Sequence, residues 1–457
     1  MSKYSLFSVI GIEIEYMLVD SDSLAIKSCS DQILHDLAAV ASTANESSAK
    51  GLLPLGKQEH YLSENALQSD RYKKQTKRQK NQVIDGAQGK QVAINEIVLG
   101  DVVCSNELVM HVIELKNNGP QALKAPLAAQ FQRAIINLQP FLKQYNLKLL
   151  PTGAHPWMDP AESRRWPHGN SEIYAKYDAI FNCQTHGFAN LQSMHVNLPF
   201  ANDAEFCQLH NSIRLLLPLL PALAASTPFI DGKKTGWRDS RLFFYGQNQK
   251  RIPSIIGDLI PDFICSEQQY WEKILLPMYR DLKPFDEEGI LQHPWLNSRA
   301  AIPKFLDQAV EIRIIDTQEC VQADLAIALS IAAILKHWQN NSEYYLANPY
   351  PTNSLKLLFQ QTCKNGLSVN VQDQELFAQW QLSGGTRSCR RIWAELIEQV
   401  SHDLDNSSQC ALETILSQGN LADRLVRACA NNYSKKKLLE CYQEVSNCLI
   451  KNELFCP

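Results

Sequence analysis

Residues 9–19, Val-Ile-Gly-Ile-Glu-Ile-Glu-Tyr-Met-Leu-Val, carry two carboxylates inside an otherwise apolar run, and no other stretch constrains the fold as much. A period of two puts Ile10, Ile12, Ile14, Tyr16 and Leu18 on one face of a strand and Glu13 and Glu15 together on the other. With the isoleucines packed on a core, the opposite face presents two acids about 7 Å apart, from the rise per strand residue. Like charges so placed repel unless a cation neutralises them. An antiparallel strand with a wet outer face also accounts for this stretch taken alone. Partners elsewhere in the chain have to decide.

Three further stretches supply such partners. Residues 106–119 set Glu107 and Glu114 in a second apolar run. Their separation is odd, so one straight strand would point them apart, whereas a bulge or a helical turn before the strand would bring them together. In residues 190–200, Met194, Val196 and Leu198 alternate with Ser193, His195 and Asn197, which displays His195 on a polar face as a metal ligand or a hydrogen-bonded surface group. In residues 309–316, Glu311 and Arg313 share the face opposite Val310, Ile312 and Ile314, a pairing that a surface ion pair would also produce. Arg299 lies shortly before them. Two loops add candidates for a substrate: His155 in the Pro- and Gly-rich stretch 149–160, and Arg238 and Arg241, guanidinium forks suited to an anion, in residues 231–241. The Gly232-Lys-Lys-Thr235 spacing lacks the earlier glycine of a Walker A loop.

Around these stretches the chain reads as helices and loops. Residues 31–41 have helical spacing with Asp31 as a cap, and Leu123, Leu127, Phe131, Ile135, Leu138 and Leu142 form the apolar stripe of another helix. A helix from Asp203 runs into the apolar stretch Leu215–Ala225, kinked by Pro218 and Pro221. Residues 44–91 are polar, with a basic run from Arg71 to Lys80, and read as a solvated insertion. Only Tyr72 interleaves that run, which does not suit nucleic acid. The division expected is a catalytic domain over 1–342 and a helical extension over 343–457, including helices over Thr386–Asp403 and Lys435–Ile450. The extension would cap the catalytic domain or mediate self-association.

A net charge of -4 and 45% hydrophobic residues exclude a global pull toward nucleic acid or acidic membranes. The apolar run Leu215–Ala225 is too short to span a bilayer, so no membrane segment is expected. Thirteen cysteines without a Cys-x-x-Cys pair or a secretory leader point to reduced thiols and a cytoplasmic compartment.

Five carboxylates and one histidine in or beside strand patterns, with Arg299 and Arg313 close to the last, compose a candidate site for divalent cations and phosphate. Oxygen-rich sites suit magnesium or manganese rather than zinc, and arginine forks suit phosphoryl oxygens.

The order Gly11-Ile-Glu-Ile-Glu15, Glu107 to Glu114, Pro151-Thr-Gly-Ala-His-Pro156, Ser193-Met-His-Val196, the Pro218 to Pro228 run and Glu311-Ile-Arg313 resembles the glutamate-cysteine ligase and carboxylate-amine ligase group of the glutamine synthetase superfamily, over roughly residues 8–338. The resemblance implies an α+β fold, with a curved antiparallel sheet forming a funnel and helices outside. It implies that Glu15, Glu107 and Glu114 hold metal on the substrate side, and Glu13, His195 and Glu311 on the nucleotide side. Two or three Mg2+ ions are implied, with Mn2+ as an alternative, and Arg299 and Arg313 match arginines that meet ATP phosphates. Asn197 departs from the second histidine of many relatives, which bears on the choice of amine. The implied reaction is ATP-dependent amide formation through an acyl phosphate, joining the gamma-carboxylate of glutamate to cysteine or another amine, with residues 231–246 as a candidate lid. From a different class, a catalytically silent metal- or nucleotide-binding regulator would share the fold; retention of all six ligands argues against it.

Overall fold

The computed structural model describes residues 4–47 and 94–457; the basic run Arg71–Lys80 lies outside them. Eight strands form one antiparallel sheet: β1 (Gly11–Asp20), β2 (Glu96–Leu99), β3 (Val102–Asn106), β4 (Val112–Asn117), β5 (Leu147–Leu150), β6 (Ser193–Pro199) and, after a short hairpin of β7 (Phe229–Ile230) and β8 (Lys233–Lys234), β9 (Ala301–Lys304) and β10 (Ala309–Asp316). Their order is β2-β3-β4-β1-β6-β10-β9, and β5 pairs with the far end of β1. This is the expected α+β architecture, with the sheet open at β2 and β9 rather than closed.

Alternation decides which face is which. Ile12, Ile14, Tyr16, Val196, Leu198, Val310 and Ile312 are all buried on one side, while Glu13, Glu15, His195 and Asn197 remain partly accessible on the other. The apolar face is covered by helices Leu127–Gln144, Asp203–Leu216 and Val321–Trp338, which join it in one core. Each apolar side chain so buried contributes about 1.5–3 kcal/mol. Helix Leu127–Gln144 buries the predicted stripe of Leu127, Phe131, Ile135, Leu138 and Leu142. Helix Asp203–Leu216 starts at Asn202, whose side chain accepts from the Glu205 N–H. At Pro218 and Pro221 it gives way to two short buried segments, Leu217–Leu219 and Leu220–Ala224, because proline cannot donate to the preceding turn. Among the described residues one stretch, Val321–Ala347, is long and apolar enough to cross a membrane, but most of its apolar window is buried inside the fold.

Of the C-terminal helices, Cys389–Val400 packs into this core, and Lys435–Lys451 packs mainly into a second apolar cluster with Met17, Val19 and Leu150. The indole N–H groups of Trp380 and Trp393 donate to the carbonyls of Leu215 and Leu219, each at 3.0 Å. Arg424 forms a fully buried ion pair with Glu319, three residues past β10, and also donates to the Phe455 carbonyl. Cys207 and Cys265 are placed as a disulfide, against the expectation of reduced thiols throughout, and the other eleven cysteines are free.

Candidate functional site

The register of β1 assembles the acids. Glu13 lies directly across from His195 on β6, and Glu15 directly across from Glu114 on β4. On the far side of β6, Asn197 faces Glu311 of β10. Side chains opposite one another across strands share a face, so these six groups come from strands that are far apart in sequence but adjacent in the sheet. Glu107 arrives differently: β3 ends at Asn106, and Glu107 sits in the connection to β4, accepting from the Leu108 N–H at 3.3 Å. The odd spacing from Glu114 is thus resolved by a turn rather than by a bulge.

Two sub-clusters result. Glu13, His195 and Glu311 can each offer a ligand atom within 4.8 Å of the others. His195 Nδ1 lies 3.1 Å from Glu13 Oε2, and Nε2 lies 2.9 Å from Ser193 Oγ. The Ser193 hydroxyl also reaches Glu15 Oε2 at 3.1 Å, an oxygen that can only accept. The acids around His195 favour its charged form. Burial opposes that charge, yet the hydrogen bond to Glu13 and the surrounding carboxylates outweigh it and raise the His195 pKa. Burial likewise works against ionised Glu311, but Arg313 and Lys304 hold it down at about 2. Glu13 is also kept well below its ordinary value: burial raises it, and His195 and Lys304 lower it by more.

The second sub-cluster, Glu15, Glu107 and Glu114, is under-neutralised. Burial, then repulsion from Glu13, pushes Glu114 up to about 7. Burial and the charges of Glu114 and Glu15 raise Glu107 as well. Glu114 accepts from Ser105 Oγ at 2.9 Å and has one cation beside it, Lys116 Nζ at 3.4 Å. Lys116 is shared with Glu96. Among the described residues Glu13, His195 and Glu311 are the group that meets at ligand distance, and two carboxylates with an imidazole fit a divalent cation such as Mg2+ or Mn2+.

Arg313 stands at a register shift between Ile312 and Ile315, where β10 carries one residue more than β6. Its guanidinium engages Glu311 Oε1 through Nε at 2.9 Å and through Nη2. Arg299 is buried beside the start of β9, donating from Nη1 to the Asn297 side chain at 3.0 Å and to the Ser254 carbonyl at 3.2 Å; its Nε has no partner. Arg241 is buried against Asp316 at the end of β10, and its Nη2 is a buried donor without an acceptor among the described residues.

The other two substrate candidates are engaged within the fold: Nε of Arg238 and both ring nitrogens of His155 have partners there. Arg238 pairs with Asp423 of the C-terminal helices. His155 is buried, with Nε2 2.7 Å from the Leu24 carbonyl and Nδ1 accepting from the Trp157 N–H at 3.1 Å, so it ties two loops together. Residues 231–246 are anchored rather than free-standing: Asp239 to Leu242 are buried, and the N–H groups of Arg238 and Asp239 donate to the Cys363 carbonyl.

Several site residues escaped sequence reasoning. Lys116 follows Glu114 by two and shares its face, a signal present in the alternation of β4. Lys304 gave no such signal, because β9 is a four-residue strand containing a proline and shows its pairing only in three dimensions.

The model of glutamate-cysteine ligase family 2 matches residues 9–443, well past residue 338. The chain is 31% identical over 367 residues to an uncharacterized protein of Archaeoglobus fulgidus, covering 79% of this chain and 91% of that one. It is 27% identical over 248 residues to a putative glutamate–cysteine ligase 2 of Cronobacter sakazakii, covering 54% of this chain and 61% of that one. Among solved structures, the fold is similar to a glutamate–cysteine ligase from Francisella tularensis in complex with AMP, with a TM-score of 0.56 at 12% identity, covering 98% of this chain and 90% of that one. A bifunctional glutathione synthetase from Pasteurella multocida gives a TM-score of 0.55 at 10% identity, covering 98% of this chain and 53% of that one.

Proposed function

Because the chain belongs to glutamate-cysteine ligase family 2, we propose that it is an ATP-dependent carboxylate–amine ligase, joining glutamate through its gamma-carboxylate to cysteine or another amine. The observation that carries this reading is the meeting of Glu13, His195 and Glu311 within ligand distance, with Arg313 on the same carboxylate. A silent binding fold has no need to hold such charges together, since their mutual repulsion costs stability.

In this reading Glu13, His195 and Glu311 hold the divalent ion on the nucleotide side, and Glu15, Glu107 and Glu114 hold it on the substrate side. Ions there supply charge neutralisation for the phosphoryl group in flight. Arg313 meets the transferred phosphoryl oxygens with its fork while Glu311 orients it. Arg299, anchored by Ser254 and Asn297, adds positive potential toward the ATP phosphates. Arg241 is the residue for the substrate carboxylate: an unmet buried N–H costs about 1–3 kcal/mol, which an incoming acceptor relieves. The carboxylate attacks the gamma-phosphate to give an acyl phosphate, and the amine then displaces phosphate. Residues 1–342 carry this chemistry, and residues 343–457 brace it from below.

The test is a screen of amino acids and amines with ATP and Mg2+, following ADP and phosphate release and identifying the product by mass. Amide formation with stoichiometric ADP is expected. Stoichiometric AMP and pyrophosphate would sink the acyl-phosphate route, and the absence of any amide product would sink the ligase assignment.

A further inference from the structure

Lys304 closes the edge strand β9. Ile302, two residues earlier, faces Glu311 across the β9–β10 ladder, so the strand period turns Lys304 to the face of the acids. Its ammonium contacts Glu311 Oε2 and lies 3.4 Å from Glu13 Oε1, bridging the two carboxylates of the metal-type cluster. The other oxygens are also engaged. Glu311 Oε1 takes the Arg313 guanidinium, Glu13 Oε2 faces His195, and Glu13 Oε1 accepts from Asn197 Nδ2 at 3.0 Å.

A divalent ion shared by Glu13 and Glu311 needs the position between them that the ammonium commands. Of the two cations on Glu311, lysine is the one able to leave. Arg313 holds one oxygen with two donors of a rigid fork, whereas Lys304 has a flexible four-carbon stem on an edge strand and a side chain that is 31% exposed. We propose that Lys304 is the internal counter-cation of the Glu13–His195–Glu311 centre, neutralising it when no divalent ion is bound and swinging out in exchange for one. This rests on the reading of that centre as a metal site. The exchange lets two carboxylates stay ionised and close together in a folded chain before any metal arrives. It also means that the ion binds against a competitor the protein carries itself.

The experiment uses the full chain. Mn2+ affinity is measured by titration calorimetry, and melting in a chelator, for the wild type, Lys304→Met, Lys304→Arg and Glu311→Gln. Removing the competitor should tighten Mn2+ binding by about tenfold or more, a size usual for coupled binding. In chelator Lys304→Met should melt lower than the wild type, and saturating Mn2+ should close that gap. Lys304→Arg keeps a competing charge and should stay within about threefold of wild-type affinity. If Lys304→Met does not fold without metal, it is prepared in Mn2+ and its affinity read by back-titration with chelator; Lys304→Gln serves as a second variant. Unchanged or weaker Mn2+ binding in both neutral variants, with binding abolished in Glu311→Gln, would overturn the exchange while leaving the metal site standing. Indistinguishable binding by the wild type and Glu311→Gln would overturn the metal reading, and the exchange with it.

Discussion

Asp316 fills the space a side chain at Gly153 would need: a Cβ built there lies 2.4 Å from the Asp316 carboxyl carbon. The same carboxylate accepts from the Ser226 N–H at 2.7 Å, from the hydroxyls of Ser226 and Thr227, and from Arg241. One glycine in the Pro151–Pro156 loop thus lets the end of β10 hold the link before β7 and the helix that presents Arg241.

Gly153→Ala should therefore destabilise the fold by about 2 kcal/mol or more, since neither Asp316 nor the loop has room to yield. Chemical denaturation of the two proteins reads the difference. Equal stability would mean that Asp316 relocates freely and that its four donors contribute little.

Arg313→Lys should lower turnover by about a hundredfold, the scale of losing one preorganised charge stabiliser, because an ammonium cannot reproduce the fork. Its melting temperature should change little, since Lys304 still neutralises Glu311. Steady-state kinetics beside thermal melting separates the two effects. Near-normal turnover in the lysine variant would reduce Arg313 to an ion-pair partner of Glu311.

Two buried histidines should make part of the stability acid-sensitive. Burial lowers the pKa of both His111 and His155 to about 4. For His155 the cause is visible: Nδ1 accepts from the Trp157 N–H, so a proton there would lose that bond and face the donor. Below about pH 6.5 the unfolded chain takes up protons that these folded imidazoles refuse, so their contribution to stability should fall from about pH 6.5 toward 4, by up to about 1.4 kcal/mol per unit and per histidine. Above pH 6.5 this contribution is fully present. His155→Gln should be less stable at neutral pH but lose less between pH 6.5 and 5, measured by denaturant unfolding at each pH. An unchanged slope in the variant would acquit His155.

Deleting residues 66–88 should leave turnover within about threefold, under about 1 kcal/mol of barrier, because a stretch of that composition has little apolar surface to bury. A hundredfold loss in the same assay would make the segment part of the site.

Period-two alternation made much of this arrangement legible. It assigned Glu13, Glu15, His195, Asn197, Glu311 and Arg313 to polar faces, and the structure sets those residues on one side of one sheet. What it could not convey was register between strands far apart in sequence, and so Lys304 went unnoticed although it touches Glu311. Loops were harder still. His155 and Arg238 look like ligand residues in a polar, Gly- and Pro-rich context, but such loops also need buried donors and acceptors to hold their own backbone, and that is where both side chains are engaged. Glu107 was placed only once the end of β3 at Asn106 was known.

The central position of β1 also sets a timetable. It is made before all of its hydrogen-bonding partners, β4, β5 and β6, the last of which ends at Pro199. At the usual pace of synthesis, roughly ten to forty seconds pass before β6 is made. Throughout that interval a strand of mostly apolar residues stands with at least one edge unpaired, a template for pairing with neighbouring chains. The strand that seeds the site is thus also an aggregation hazard during synthesis, and production of this protein should depend on how well nascent β1 is shielded.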